Sequence, residues 1–162
     1  ATFTTQVPVD MSIKMRDMGK SAKEIYDALE IAKEKVKLYA IVDDLKNLKK
    51  GGRLSGAGAI IGTAFHVKPI ITISDEGKIV VAGKAKGRKN ATDFILQKYI
   101  EEHDDSFKTL YVGNSDCPDF AQEFKDAVTQ NCGEREFKEC SIGAVIATHV
   151  GINCVIIGFV CK

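Results

Sequence analysis

The stretch Lys49-Lys50-Gly51-Gly52-Arg53-Leu54-Ser55-Gly56-Ala57-Gly58-Ala59-Ile60-Ile61-Gly62, running on through Thr63-Ala64-Phe65-His66-Val67-Lys68-Pro69, decides how the chain is read. Lysines at a helix end meet a double glycine, an arginine follows, and a small-residue apolar segment closes on Lys-Pro. The spacing Gly56-x-Gly58-x-x-x-Gly62 comes near a dinucleotide fingerprint, which requires a strand before its glycines and a helix after them. Here a lysine-rich helix end stands in the strand's place. The chain also holds no G-x-x-x-x-G-K-[ST] phosphate loop. Ala57–Phe65 therefore reads as a helix packed closely against a neighbour through small residues, and no cofactor is expected.

Outward from this stretch the elements follow from local signals. Ser21 with Glu24 three residues on has the spacing of a capping box, and Ile25, Leu29, Ala32 and Val36 recur at helical intervals. A helix over Ser21–Lys35 follows. Leu38–Val42 is a short apolar run suited to a buried strand. Asp43-Asp44 begin a brief helix that ends in lysines, in the sense the helix dipole prefers, and Gly51-Gly52 stop it. Val67–Ile73 and Lys78–Ala85 flank Asp75-Glu76-Gly77 and predict a hairpin. Asn90–His103 reads as a helix and Phe107–Val112 as a strand. Pro118 opens a helix to Gln130, Arg135–Cys140 alternates like a half-buried strand, and Cys154–Val160 is an apolar final strand. The prediction is an α/β domain, α+β-like, with a mixed six-stranded sheet and helices mainly on one face. Residues 1–19 show no clean period and read as a linker, or as the continuation of something upstream, before a domain over 20–162.

Composition bounds the partners. The 162 residues are 44% hydrophobic and 28% charged with a formal net charge of +1, which offers no basic excess for nucleic acid. No run approaches the roughly 20 apolar residues of a membrane helix, and no basic-then-apolar leader opens the chain. Five cysteines in no C-x-x-C pair read as reduced thiols of a cytoplasmic protein, with no zinc spacing and no metal site.

Several residues could carry chemistry. His149, between Thr148 and Val150-Gly151 at the entry to the last strand, can donate to a carboxylate or phosphate, or can be a satisfied structural histidine. Cys117, at a strand-to-helix junction, is the candidate reactive thiol, although no base stands near it in sequence and Asp116 opposes its ionisation. The acidic pairs Asp43-Asp44, Glu101-Glu102 and Asp104-Asp105 all sit at helix boundaries, where capping explains them. Arg53 and Arg88 are two basic tips set on glycine turns, suited to an anionic ligand or an acidic partner.

These residues, taken in order, carry a resemblance. Val42-Asp43-Asp44-Leu45, Leu48-Lys49-Lys50-Gly51-Gly52-Arg53-Leu54-Ser55, Ile61-Gly62, Val67-Lys68-Pro69-Ile70, Asp75-Glu76-Gly77-Lys78-Ile79, Lys86-Gly87-Arg88-Lys89 and His149-Val150-Gly151 resemble the C-terminal portion of the DegV family of bacterial fatty acid-binding proteins. The resemblance implies a two-domain clamp, with a Rossmann-like N-terminal domain absent from this chain and the fatty acid held between the domains. It implies a carrier and no enzyme: the lipid is presented to a fatty acid kinase, whose acyl phosphate feeds phospholipid synthesis. His149, with Thr148 beside it, would meet the carboxylate, Ile60, Ile61 and Phe65 would line the acyl chain, and Arg53 and Arg88 would dock the kinase. Gly151-Ile152-Asn153 departs from the family's Gly-Pro-Gly, which puts the local turn in question. The rival reading is a phosphotransfer or thiol-dependent enzyme using His149 or Cys117.

Overall fold

The computed structural model describes residues 3–54 and 66–162. In chain order the elements are α1 (Phe3–Asp17), α2 (Ala22–Lys35), β1 (Val36–Ile41), α3 (Lys46–Lys50), β2 (Val67–Ile73), β3 (Ile79–Lys86), α4 (Gly87–Glu102), β4 (Thr109–Ser115), α5 (Pro118–Cys132), β5 (Glu136–Ser141), α6 (Ala144–Val150) and β6 (Cys154–Val160). The six strands form one mixed sheet in the order β3-β2-β1-β6-β4-β5. All neighbours are antiparallel except β4 and β5, which are parallel. The hairpin, the final strand and the central helices stand where the sequence places them. The proposed helix Ala57–Phe65 lies outside the described residues.

Period-two alternation builds two cores on the sheet. Tyr39, Ile41, Val155, Ile157, Phe159, Leu110 and Val112 face α4 and α5, which contribute Ile95, Tyr99, Phe120 and Phe124. Leu38, Ala40, Val42, Ile156 and Tyr111 point the other way, onto Val7, Leu48 and Val150. Helices α4 and α5 thus share one face. The opposite face is covered too, by α1, α3 and α6, because the central strands β1 and β6 are apolar on both sides.

Two elements differ from the sequence reading. α6 falls between Arg135–Cys140 and Cys154–Val160, where no element is predicted; at seven residues it is too short to show a helical period. The opening segment, read as a linker, is helix α1 despite Pro8. Tertiary contacts hold it: Val7 is buried, and Asp10 accepts hydrogen bonds from Tyr111 Oη (2.7 Å) and Lys138 Nζ (2.7 Å) on the sheet. Helices are commonly stabilised by such packing rather than by propensity, and a pattern search does not detect it.

This anchor has a pH signature. Partial burial pushes the Asp10 carboxyl up, but the hydrogen bonds from Lys138 and Tyr111 and the ammonium charge outweigh it and leave the group below its ordinary value. A lowered carboxylate stabilises above the unfolded value of about 3.9 and loses that contribution as pH falls through the folded one. We expect α1 to loosen below about pH 4, seen as movement of its amide resonances, and Asp10→Asn to abolish that response. Acid-induced movement of the α1 amide resonances that is the same in the parent and in Asp10→Asn would show that the anchor does not hold the helix.

Candidate functional site

One end of the sheet collects the candidate residues. β1 ends with Ile41 between Ile70 and Val155, and β4 ends with Ser115 beside Cys154. The chain leaves or enters the sheet here through Val42-Asp43, the turn after α6, and the starts of α4 and α5.

Asp43 lies at the hub. One carboxylate oxygen takes the Lys68 ammonium and the other accepts from Asn153 Nδ2 at 2.9 Å. Burial raises this carboxyl, and the bonds from Lys68 and Asn153, with the Lys68 and Arg88 charges, overcome that and hold it below its ordinary value. Neither acid is the N-cap of α3, which is Leu45; Asp44 stands one residue before it and its Oδ1 accepts from Lys46 N at 2.8 Å. Asn153 has φ +58, and its backbone N–H donates to Ser115 O at 2.7 Å. Asparagine is among the few residues other than glycine that enter this left-handed region readily. The departure from Gly-Pro-Gly is therefore absorbed: position 153 takes a backbone that glycine would also take.

His149 stands on the last turn of α6 and presses on the glycine tip. A Cβ built on Gly51 would lie 2.3 Å from His149 Nδ1 and 2.7 Å from Cε1, so the ring occupies the space a side chain would fill. Nδ1 is shielded from solvent and has no hydrogen-bond partner among the described residues. On the same side α3 approaches the turn: a Cβ on Gly151 would come within 3.2 Å of Asn47 Nδ2. Thr148 is exposed and its hydroxyl donates to Ala144 O at 2.8 Å, a bond it would have to leave to serve a carboxylate.

The two arginines are exposed and differently placed. Arg53 donates to Gly51 O at 2.6 Å, beside His149. Arg88 opens α4 and lies 4.9 Å over the Phe120 ring, on the face shared with Lys68 and Asp43. Cys117 belongs to the core under α4 and α5, whereas α6 packs on the opposite face, so the structure does not bring His149 and Cys117 together. The Cys117 thiol is buried, is pushed up by that burial, and donates to Cys154 O at 3.4 Å. It lacks the lowered pKa and the access that a thiol nucleophile needs. Ile60, Ile61 and Phe65 lie outside the described residues. Among the described residues no group of three or more His, Cys, Asp or Glu could hold a metal ion, and no helix is long and apolar enough to cross a membrane.

The family model described as "Uncharacterised protein, DegV family" matches residues 1–162. The chain belongs to the DegV family. The DegV domain-containing protein YteA of Lactococcus lactis is 32% identical over 143 residues, 88% of this chain and 50% of that protein. The crystal structure of a fatty acid binding DegV family protein from Streptococcus agalactiae is similar with a TM-score of 0.82 at 28% identity, covering 96% of this chain and 55% of that one. The Streptococcus pneumoniae Fatty Acid Kinase (Fak) B3 protein, loaded with linoleic acid, has a TM-score of 0.85 at 16% identity over 98% of this chain and 56% of that one, a likeness of fold. The chain thus spans about half the length of the DegV proteins it matches.

Three features of this DegV site escaped the sequence: the hub role of Asp43, the contact of His149 with Gly51, and the apolar flank of α6. Val145 and Ile152 bracket His149 and are 78% and 63% exposed. Val145 lies on α6 and Ile152 in the turn beyond it, so no single period joins them and only the fold brings them to one side of His149.

Proposed function

We propose that this chain is the part of a DegV fatty acid-binding protein that orients the lipid's carboxylate and faces the kinase that receives it. The observation that carries the reading is His149, whose ring is wedged on Gly51 with a shielded Nδ1 that has no partner among the described residues. An unsatisfied buried polar atom costs about 1–3 kcal/mol, a cost that functional sites retain. The tautomer with its proton on Nε2 avoids burying an unsatisfied N–H and leaves Nε2–H to donate to a carboxylate. The exposed Val145 and Ile152 offer apolar surface close by.

Ile60, Ile61 and Phe65 would take the acyl chain, whose burial contributes about 0.8 kcal/mol per CH₂, so affinity would come from the chain and orientation from His149. Thr148 would join the head group only by giving up its bond to Ala144. Arg53 and Arg88 would meet an acidic surface of a fatty acid kinase. The matched proteins are about twice as long, and the second wall of the lipid site is assigned to an N-terminal domain of the same protein. In this reading the protein carries its ligand and transforms nothing.

Oleate titration by calorimetry tests this. The chain alone should bind weakly, and His149→Ala should weaken binding about tenfold, the loss of one charge-assisted hydrogen bond. Arg53→Ala and Arg88→Ala should leave lipid binding unchanged and weaken transfer to the kinase. Oleate affinity that ignores His149→Ala removes the carboxylate role. A stoichiometric fatty acid carried through purification, read by mass spectrometry, would show that no second domain is needed.

A further inference from the structure

We infer that Asp43, acting through Asn153, is the positioning residue for His149. The functional meaning of this rests on the lipid reading above; the placement itself does not.

His149 is joined to the sheet by a turn whose residues Gly151 and Asn153 both have positive φ, +80 and +58. Two left-handed residues in three make a sharp reversal, and its geometry sets the direction from which α6 delivers His149. Asn153 is tied from both sides. Its backbone N–H donates to Ser115 O at 2.7 Å and its side chain donates to Asp43 at 2.9 Å. A non-glycine residue in this region persists when its surroundings over-determine it. Asp43 supplies that constraint from a residue directly beyond the buried Val42, at the end of the central strand β1. Lys68 takes the other carboxylate oxygen and fixes the rotamer.

The neighbouring acid sets the opposite wall. Asp44 accepts from Lys46 N and starts α3, which ends five residues later at Gly51, where the ring rests. The consecutive pair Asp43-Asp44 therefore determines both surfaces between which His149 is held: the turn that delivers it and the helix that receives it. This role differs from plain charge pairing at a strand end, because it is transmitted through an amide hydrogen bond that Asp43 shares with no lysine.

The test is an NMR measurement on the labelled 162-residue chain without lipid. In the parent, the cross-peak between Gly51 Hα and His149 Hε1 should be strong. Asn153→Gly keeps the left-handed backbone, folds, and lacks the amide; Asp43→Ala lacks the carboxylate. Both should lower that cross-peak by half or more while the amide resonances of β1 and β6 stay in place. Asp43→Asn still offers an oxygen to Asn153 and should restore most of it. An unchanged cross-peak in Asn153→Gly overturns the inference. So does Asp43→Asn behaving like Asn153→Gly, since that would place the role in the charge facing Lys68 and Arg88. If Asp43→Ala does not fold, the other two variants decide. The cross-peak settles the positioning by itself, and the oleate titration settles the lipid reading separately.

Discussion

Gly51→Ala is expected to dislodge the His149 ring and to lower stability by about 1–3 kcal/mol, the usual cost of forcing a methyl into an occupied space. The backbone does not require glycine here: φ is −78°, open to any residue. The obstacle is the imidazole, which lies 2.3 Å and 2.7 Å from where the new Cβ would stand, with Asn47 O at 3.2 Å behind it. Relief comes either by swinging the ring out or by shifting α3, and both separate His149 from its seat. Gly52 is the natural control. It has φ +66 and, among the described residues, nothing within 4 Å of its added Cβ. Gly52→Ala should therefore cost about 1–2 kcal/mol through the backbone alone and leave the His149 ring resonances where they are. Urea unfolding with ring NMR on the two variants checks this, and His149 signals that do not move in Gly51→Ala would mean that the ring is not held on the tip.

Phe159→Ala should be among the most damaging single changes in the chain, at about 3–5 kcal/mol. Phe159 is 1% exposed on β6, 5.1 Å edge-to-face from Tyr99 and 6.3 Å from the stacked Tyr39. Removing it opens a cavity between the sheet and α4 and also breaks two aromatic contacts, each worth about 0.5–1.5 kcal/mol beyond area. Against a total stability of roughly 5–15 kcal/mol, the variant would approach unfolding. Phe159→Leu retains most of the volume and should recover more than half of the loss. A shift in the urea midpoint equivalent to less than about 1 kcal/mol for Phe159→Ala would show that the site collapses to fill the space.

Both predictions concern contacts made across the fold, and they mark where the sequence stopped being legible. Ser21 and Glu24 form the capping box their spacing suggests, and Asp75-Glu76-Gly77 joins the two strands it separates. The apolar run at residues 154–160 is buried at every position. These signals are local, so they survive without knowledge of the rest. The opening helix was not legible, because Asp10 is held by Tyr111 and Lys138, more than 100 residues away. For the candidate site, His149, Arg53 and Arg88 could be singled out from residue type and glycine context, yet their relation could not.

What the sequence by itself determined is the six strands, the helices between them other than α1 and α6, the mixed sheet and membership of the DegV family, because period, caps, turns and motif order are written in neighbouring residues. What only the tertiary structure decided is which residues act together. Asp43 and Asp44 are chemically identical neighbours, and nothing in their order distinguishes a helix starter from a hub. Asp43 meets Asn153 across 110 residues, and His149 meets Gly51 across the gap between two short helices. A carboxylate's role is set by what lies within 3 Å of its oxygens, and that distance exists only once the strands have paired.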